Sequence, residues 1–143
     1  MQRSAQAVWE RSLQQGEGRL TTQSGSLSAA AFSFPTRFGN ERGTNPEELI
    51  AAAHAACFSM AFAFFAEAAG APPLHVDTTA QLSFDLGAQG PVVTGVELQL
   101  QASVPGLDVA RFQEVAQQAK AGCLVSRLLN TTVTLQAQQV GTA

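Results

Sequence analysis

The sulfur chemistry open to this sequence rests on two residues. Cys57 lies within "GTNPEELIAAAHAACFSMAFAFFAEAAG", and Cys123 lies within "AKAGCLVS". They are far apart in the chain and form no C-x-x-C pair, so neither a zinc site nor a thioredoxin-type motif is indicated. Either both are ordinary buried hydrophobes, or they are a redox pair. Cys57 sits about ten residues into an apolar helix, beyond the first turn where the helix dipole helps an anion. Burial by itself would raise its pKa and leave it inert. Reactivity therefore requires a nearby cation or hydrogen-bond donor. The candidates are His54, one turn earlier on the same face, and an arginine of the preceding loop, Arg37 or Arg42. His54 as general base would make a Cys/His hydrolase pair; its bland role is that of a hydrogen-bonded core residue. Glu48 already has a capping duty, whereas Glu47 is placed to bind an arginine from the loop.

The elements that must position these groups are legible from pattern. "AVWERSLQQGEGRLTTQSGSL" reads as a hairpin, with strands from Ala7 to Leu13 and Gly18 to Thr22. A short strand is expected before Pro35, then an irregular Gly-, Asn- and Arg-rich loop, of the long ordered kind that carries function. Asn45 as N-cap, Pro46 at the first helical position and Glu48 three residues after the cap open a helix to about Ala69, ended by Gly70 and Pro72-Pro73. It is apolar on every side from Leu49 to Phe65, so it should be enclosed by protein. "HVDTTAQLSFDLG" and "VVTGVELQLQASV" alternate as half-buried strands around a turn at residues 87–91. "LDVARFQEVAQQAKAG" is an amphipathic helix, "CLVSRLL" a short helical turn, and "TTVTLQAQQV" a closing strand. The order gives an α+β protein of strands around a buried helix.

The totals bound the rest. At 143 residues the chain fits a single domain, 1–143, able to bury one core without disulfides or metal. A formal charge of −3 with only 8 Lys+Arg argues against nucleic acid and against anionic membrane surfaces. The N-terminus lacks an apolar h-region and a small-residue cleavage site, so a cytoplasmic location is expected. The uncharged run from Leu49 to Ala66 touches the length of a membrane span, but it is rich in Ala and interrupted by His54 and Ser59, which favours a core helix.

"RF" at Arg37-Phe38, "GTNPEELIAAAHAACFSMA" and "AKAGCLVS" resemble signature segments of the OsmC/Ohr family of thiol-dependent hydroperoxide reductases. "WERSLQQGEGRLTTQSG" and "VDTTAQLSFD" are similar to its OsmC branch, so the resemblance spans nearly the whole chain. It implies an OsmC-like α+β fold with an antiparallel β-sheet, a buried central helix and an intertwined homodimer. It implies a peroxidase without cofactor or metal, in which Cys57 attacks a hydroperoxide and becomes a sulfenic acid and Cys123 resolves it to a disulfide. A dithiol, of the lipoyl type that the family suggests, would reset the pair. By the same resemblance Arg37 holds the Cys57 thiolate and the peroxide oxygen, and Glu47 orients Arg37. A guanidinium stays charged when buried, which suits it to that task. The hydrocarbon part of the peroxide would pack on residues such as Phe58, Met60, Phe62 and Phe64. Where members commonly have Cys-Pro-Val-Ser, this chain has Cys123-Leu124-Val125-Ser126, which removes a fixed φ after the resolving cysteine. The competing readings are the Cys57/His54 hydrolase and a small-ligand binding stress protein with inert cysteines.

Overall fold

The computed structural model describes residues 1–141, and they form two compact units, the first ending at Leu49 and the second beginning at Ile50. In the first unit, β1 (Ala5–Glu10), β2 (Glu17–Thr22) and β3 (Ala30–Ser33) make an antiparallel sheet in that order. The first strand ends earlier than its pattern suggests because Arg11 turns the chain with φ +74°, and the Trp9 indole N–H donates to the Arg11 carbonyl at 3.1 Å. Gly18 stands in register between Trp9 and Phe32. Their rings approach to 5.6 Å between centroids, and a Cβ on Gly18 would fall 2.3–2.7 Å from the Phe32 ring.

The segment after β3, expected to be irregular, contains a short helix, α1 (Phe34–Phe38). Ser33 caps it: Ser33 Oγ accepts from the Thr36 N–H, and the Ser33 N–H donates to Thr36 Oγ1 at 2.8 Å. Thr36 Oγ1 also donates to the Thr44 carbonyl at 2.9 Å, and the Thr44 N–H donates to the Ala31 carbonyl at 2.9 Å. These bonds fold the loop back so that α1 lies against the start of the long helix.

That helix, α2 (Pro46–Ala68), starts where Asn45 Oδ1 accepts from the Glu48 N–H at 2.8 Å. It ends in a Schellman arrangement: Ala71 N–H bonds to Ala66 O and Gly70 N–H to Glu67 O, with Gly70 at φ +81°. In the second unit β4 (His75–Gly87) and β5 (Gly90–Ser103) form an antiparallel hairpin with a bulge at Ser83/Phe84. α3 (Val109–Gly122) and α4 (Leu124–Leu128) then carry the chain back, so β6 (Val133–Gln139) pairs with β5 in parallel, as a helical crossover permits. The α+β class holds; the strands form two three-stranded sheets, one of them mixed, where a single antiparallel sheet was expected.

The core of the second unit joins Phe58, Phe62 and Ala66 of α2 to Leu98, Leu100 and Ala102 of β5 and to Phe112, Val115, Ala116 and Ala119 of α3. Phe62 meets Phe112 edge-on at 5.4 Å, and Ser59 Oγ donates to Thr78 Oγ1 at 2.8 Å, tying α2 to β4. The buried residues His54, Phe58, Phe62 and Ala66 recur every four positions and so share one face of α2. On the opposite face Ala53, Ala56, Met60 and Phe64 are exposed, Met60 at 75% and Phe64 at 65%. Enclosure of the helix on every side is therefore met on one face only within a single chain.

Two outcomes follow from this packing. Gly18→Ala must displace the Phe32 ring, and strain of this kind costs about 1–3 kcal/mol; urea denaturation should show a midpoint lowered accordingly, and an unchanged midpoint would refute the ring's hold on Gly18. His54 is fully buried, and desolvation lowers its pKa below the ordinary 6.5. The unfolded chain then binds the proton more readily, so stability should fall as the pH drops through and below about 6.5. His54→Gln, which cannot titrate, should flatten that fall in midpoints measured from about pH 7 to 5; an equally steep fall would assign it to other groups.

Candidate active site

Arg37 is the fourth residue of α1 and Glu47 the second of α2, both in the first unit. Arg37 grips the carboxylate with two nitrogens: Nε donates to Oε1 and Oε2 at 3.1 and 3.2 Å, and an outer nitrogen donates to Oε1 at 2.6 Å. Glu47 is almost fully buried and Arg37 about one-third exposed. This fork geometry fixes the guanidinium plane as a lysine could not, and the Phe38 ring lies 5.1 Å below it. Among the described residues the second outer nitrogen, Nη1, has no hydrogen-bond partner in the structure, which leaves a donor for a ligand oxygen. A pocket of about 280 Å³ opens beside it, walled by Trp9, Leu13, Phe32, Phe34, Phe38 and Pro46. Arg42, the other arginine of the loop, is exposed and takes no part in this arrangement.

In the second unit Cys123 occupies the junction of two helices. It ends α3, its N–H bonding to the Ala119 carbonyl at 2.8 Å, and it begins α4, its carbonyl accepting from Arg127 N–H at 3.1 Å. Gly122, just before it, lies so close to Phe65 of α2 that a Cβ there would come within 2.7 Å of the ring. This close approach brings the α3–α4 junction onto α2, where the two free cysteines belong to one cluster, Cys123 in the buried core and Cys57 packed against it. Cys123 is fully buried and Cys57 half-buried.

The surroundings push the two thiols apart in acidity. Burial raises Cys57, the Cys123 thiol raises it further, and the Val125 and Leu124 N–H groups offset this only in part. Burial also acts to raise Cys123, but the Ser126 N–H, the Ser126 hydroxyl, the Cys57 thiol and the Val125 N–H outweigh it and bring Cys123 below its ordinary value. The cause lies at the start of α4, whose first N–H groups have no partner within the helix and favour negative charge on the sulfurs. Ser126 was not singled out by sequence reasoning. The signal was its position three residues after Cys123, one helical turn along α4.

His54 does not pair with Cys57. Its Nε2 is 2.7 Å from Ser126 Oγ, and among the described residues its Nδ1 has no hydrogen-bond partner, so neither ring nitrogen is bonded to Cys57 as a Cys57/His54 hydrolase requires. Phe58 and Phe62, expected to contact substrate, are fully buried core residues, whereas Met60 and Phe64 are exposed. No group of three or more His, Cys, Asp or Glu able to hold a metal occurs among the described residues.

Comparison with known proteins places this arrangement. The family model described as OsmC-like protein matches residues 39–138. The chain is 46% identical over 136 residues to peroxiredoxin OsmC of Escherichia coli, covering 95% of each chain. It is 35% identical over 123 residues to an organic hydroperoxide resistance protein of Xanthomonas axonopodis, covering 83% of this chain and 84% of that one. Among solved structures, the organic hydroperoxide resistance protein OhrB of Bacillus subtilis superposes with a TM-score of 0.72 at 25% identity, over 94% of this chain and 98% of that one. An OsmC-like protein of unknown function from Vibrio cholerae gives 0.77 at 19% identity, over 96% and 99%, a likeness of fold. With the matched segment running from the loop before α2 to the end of β6, and with near-half identity over almost the full length, this chain belongs to the OsmC-like protein family.

Proposed function

We propose that the protein is a cysteine-based peroxidase that reduces organic hydroperoxides, and hydrogen peroxide less efficiently, at the expense of a dithiol, with the whole chain acting as one functional domain. The observation that carries this reading is that two free cysteines far apart in sequence, Cys57 of α2 and Cys123 at the junction of α3 and α4, come together at one core cluster. The Cys57 thiolate attacks the terminal oxygen of the hydroperoxide. The O–O bond breaks, the alcohol leaves with a proton, and Cys57 becomes a sulfenic acid. Cys123 displaces hydroxide from that sulfur to form the disulfide. A dithiol, of lipoyl type or similar, then reopens it by two exchange steps. A cytoplasmic setting fits, because its thiol pool keeps such a pair reduced.

Arg37 and Glu47 belong to this reaction as the electrophilic clamp, Arg37 offering its free donor to the peroxide oxygen and Glu47 holding it in plane. The apolar pocket beside Arg37 supplies a place for the hydrocarbon part, since a polar fixing point set in an apolar wall is the usual construction of small-ligand sites. Glu47 and Cys57 are ten residues apart on a continuous helix, or about 15 Å of axial rise. With Arg37 held on Glu47, the cation that reaches Cys57 comes from a second copy of the chain. The exposed Ala53, Ala56, Met60 and Phe64 stripe of α2 supports such a homodimer, because an apolar face of this kind marks an association surface.

Two experiments test these assignments. With one equivalent of tert-butyl hydroperoxide, Cys57→Ser should consume no peroxide, whereas Cys123→Ser should complete a single turnover and accumulate a sulfenic acid detectable by dimedone labelling; equal activity in both would reject the division of labour. Co-expression of Glu47→Gln with Cys57→Ser should yield mixed dimers with about half of the wild-type activity if each site draws on both copies. Little activity in purified mixed dimers would mean that each site is built within one chain.

A further inference from the structure

His54 is fully buried with no place in the chemistry above, and its Nδ1 has no partner among the described residues. Its other nitrogen lies 2.7 Å from Ser126 Oγ, and Ser126 stands three residues after Cys123, one helical turn along α4, on the same side of the helix as that sulfur. Two tautomers are open to a neutral imidazole. If Nδ1 carried the hydrogen, a buried N–H would be left unsatisfied, which folded proteins avoid more strictly than an unsatisfied acceptor. The hydrogen therefore belongs on Nε2. His54 then donates to Ser126 Oγ, which leaves the Ser126 O–H free to turn toward the Cys123 sulfur.

We infer that His54 and Ser126 form a directed hydrogen-bond support for the Cys123 thiolate, His54 donating to Ser126 and Ser126 to sulfur, which makes both positioning residues for attack of Cys123 on oxidised Cys57. The inference rests on the reading of Cys123 as the resolving thiol. In that step the Cys123 thiol releases its proton and the thiolate forms the S–S bond. The S–O bond of the Cys57 sulfenic acid breaks, and the departing hydroxide takes up a proton to leave as water. The electron pair of the new bond comes from Cys123, so whatever holds its negative charge before attack sets how much of it is ready. The titratable groups packed on Cys123 are Cys57 and His54 of α2; Lys120 of α3 and Arg127 of α4 are its nearest charges in sequence. β4, β5 and β6 face the cluster with Val76, Ala80, Leu98, Leu100, Val133 and Leu135, and the groups that shift Cys123 lie on α2 and α4. The lowered pKa of Cys123 agrees with the support: burial acts to raise it, and the Ser126 N–H and then the Ser126 hydroxyl lead the groups that bring it down.

The test separates donor, base and packing roles. In a Cys57→Ser background, ultraviolet thiolate absorbance reads Cys123 alone. Ser126→Ala should raise its pKa by about one unit, the size expected from one hydrogen bond to a charged group, and Ser126→Thr should leave it near that of the Ser126 protein. His54→Gln, whose amide can donate from the same place, should keep the low pKa, and His54→Leu should lose it. With both cysteines present, Ser126→Ala should slow disulfide formation, followed after the sulfenic acid has formed, about threefold, a tenfold loss of thiolate partly offset by higher nucleophilicity. An unmoved Cys123 pKa in Ser126→Ala, with circular dichroism unchanged, overturns the support. A loss in His54→Gln as complete as in His54→Leu overturns the donor assignment and makes His54 a base. If the reduced wild-type protein forms no disulfide with peroxide, the resolving role fails, and the titration still decides whether the support exists.

Discussion

Two thiols cannot exchange electrons unless their sulfurs can touch, and each needs a charge-bearing form in a place from which water is largely excluded. In this protein the two cysteines come together at the point where α3 ends and α4 begins. The backbone there has to satisfy the last carbonyls of one helix and the first N–H groups of the next. Cys123 serves both helices through its own N–H and carbonyl, so its Cα is fixed by two sets of backbone bonds. Gly122 permits the close approach of this junction to Phe65, and the apolar face of α2 then presents Cys57 to it. The core of Phe58, Phe62, Phe112 and the β5 leucines is the frame that keeps this approach from relaxing.

The same junction explains why two chemically identical groups differ. Burial acts against both thiolates. Each is favoured by two of the α4 N–H groups, but Cys123 also has the Ser126 hydroxyl, and the interaction between the thiols raises Cys57 and lowers Cys123. Cys57 is left as the thiol that needs a cation. The Arg37–Glu47 clamp is built separately, on a helix of one turn capped by its own box and pinned by Thr36 to the residue before the α2 cap. Its stiffness comes from backbone and hydroxyl bonds, which hold the guanidinium regardless of what it later touches.

Much of this was legible in the residues. Asn45-Pro46 and Gly70 mark the ends of α2 because cap and terminator chemistry is local, and the alternation in β4 and β5 is visible because each strand has one buried face. What lay beyond reach had non-local causes. The parallel entry of β6 depends on where two helices deliver the chain. α1 was hidden because five residues carry no periodicity, although Ser33 and Thr36 spell out its box. The aromatic residues of α2 could not be sorted from composition: a helix apolar all round gives no phase, and only packing against α3 and β5 shows Phe58 and Phe62 inside and Met60 and Phe64 outside. Ser126 escaped because its importance arises from His54, which is distant in sequence.

Leu124 stands where the resemblance to the family leads one to expect proline, and its effect can be argued from the same junction. A proline at the first position of α4 would fix φ and remove an N–H that the helix does not use. Here the neighbouring Cys123 is already held at φ −65° and ψ 122° by its bonds to Ala119 and Arg127, so the ring is not needed to set the path of the chain. The amide that proline would lack is instead present and directed toward Cys57, where it favours the thiolate. Leu124 is exposed, so its side chain adds little to packing. The exchange gives up rigidity that the backbone supplies by other means, and gains one more donor for the sulfur whose charge is hardest to sustain.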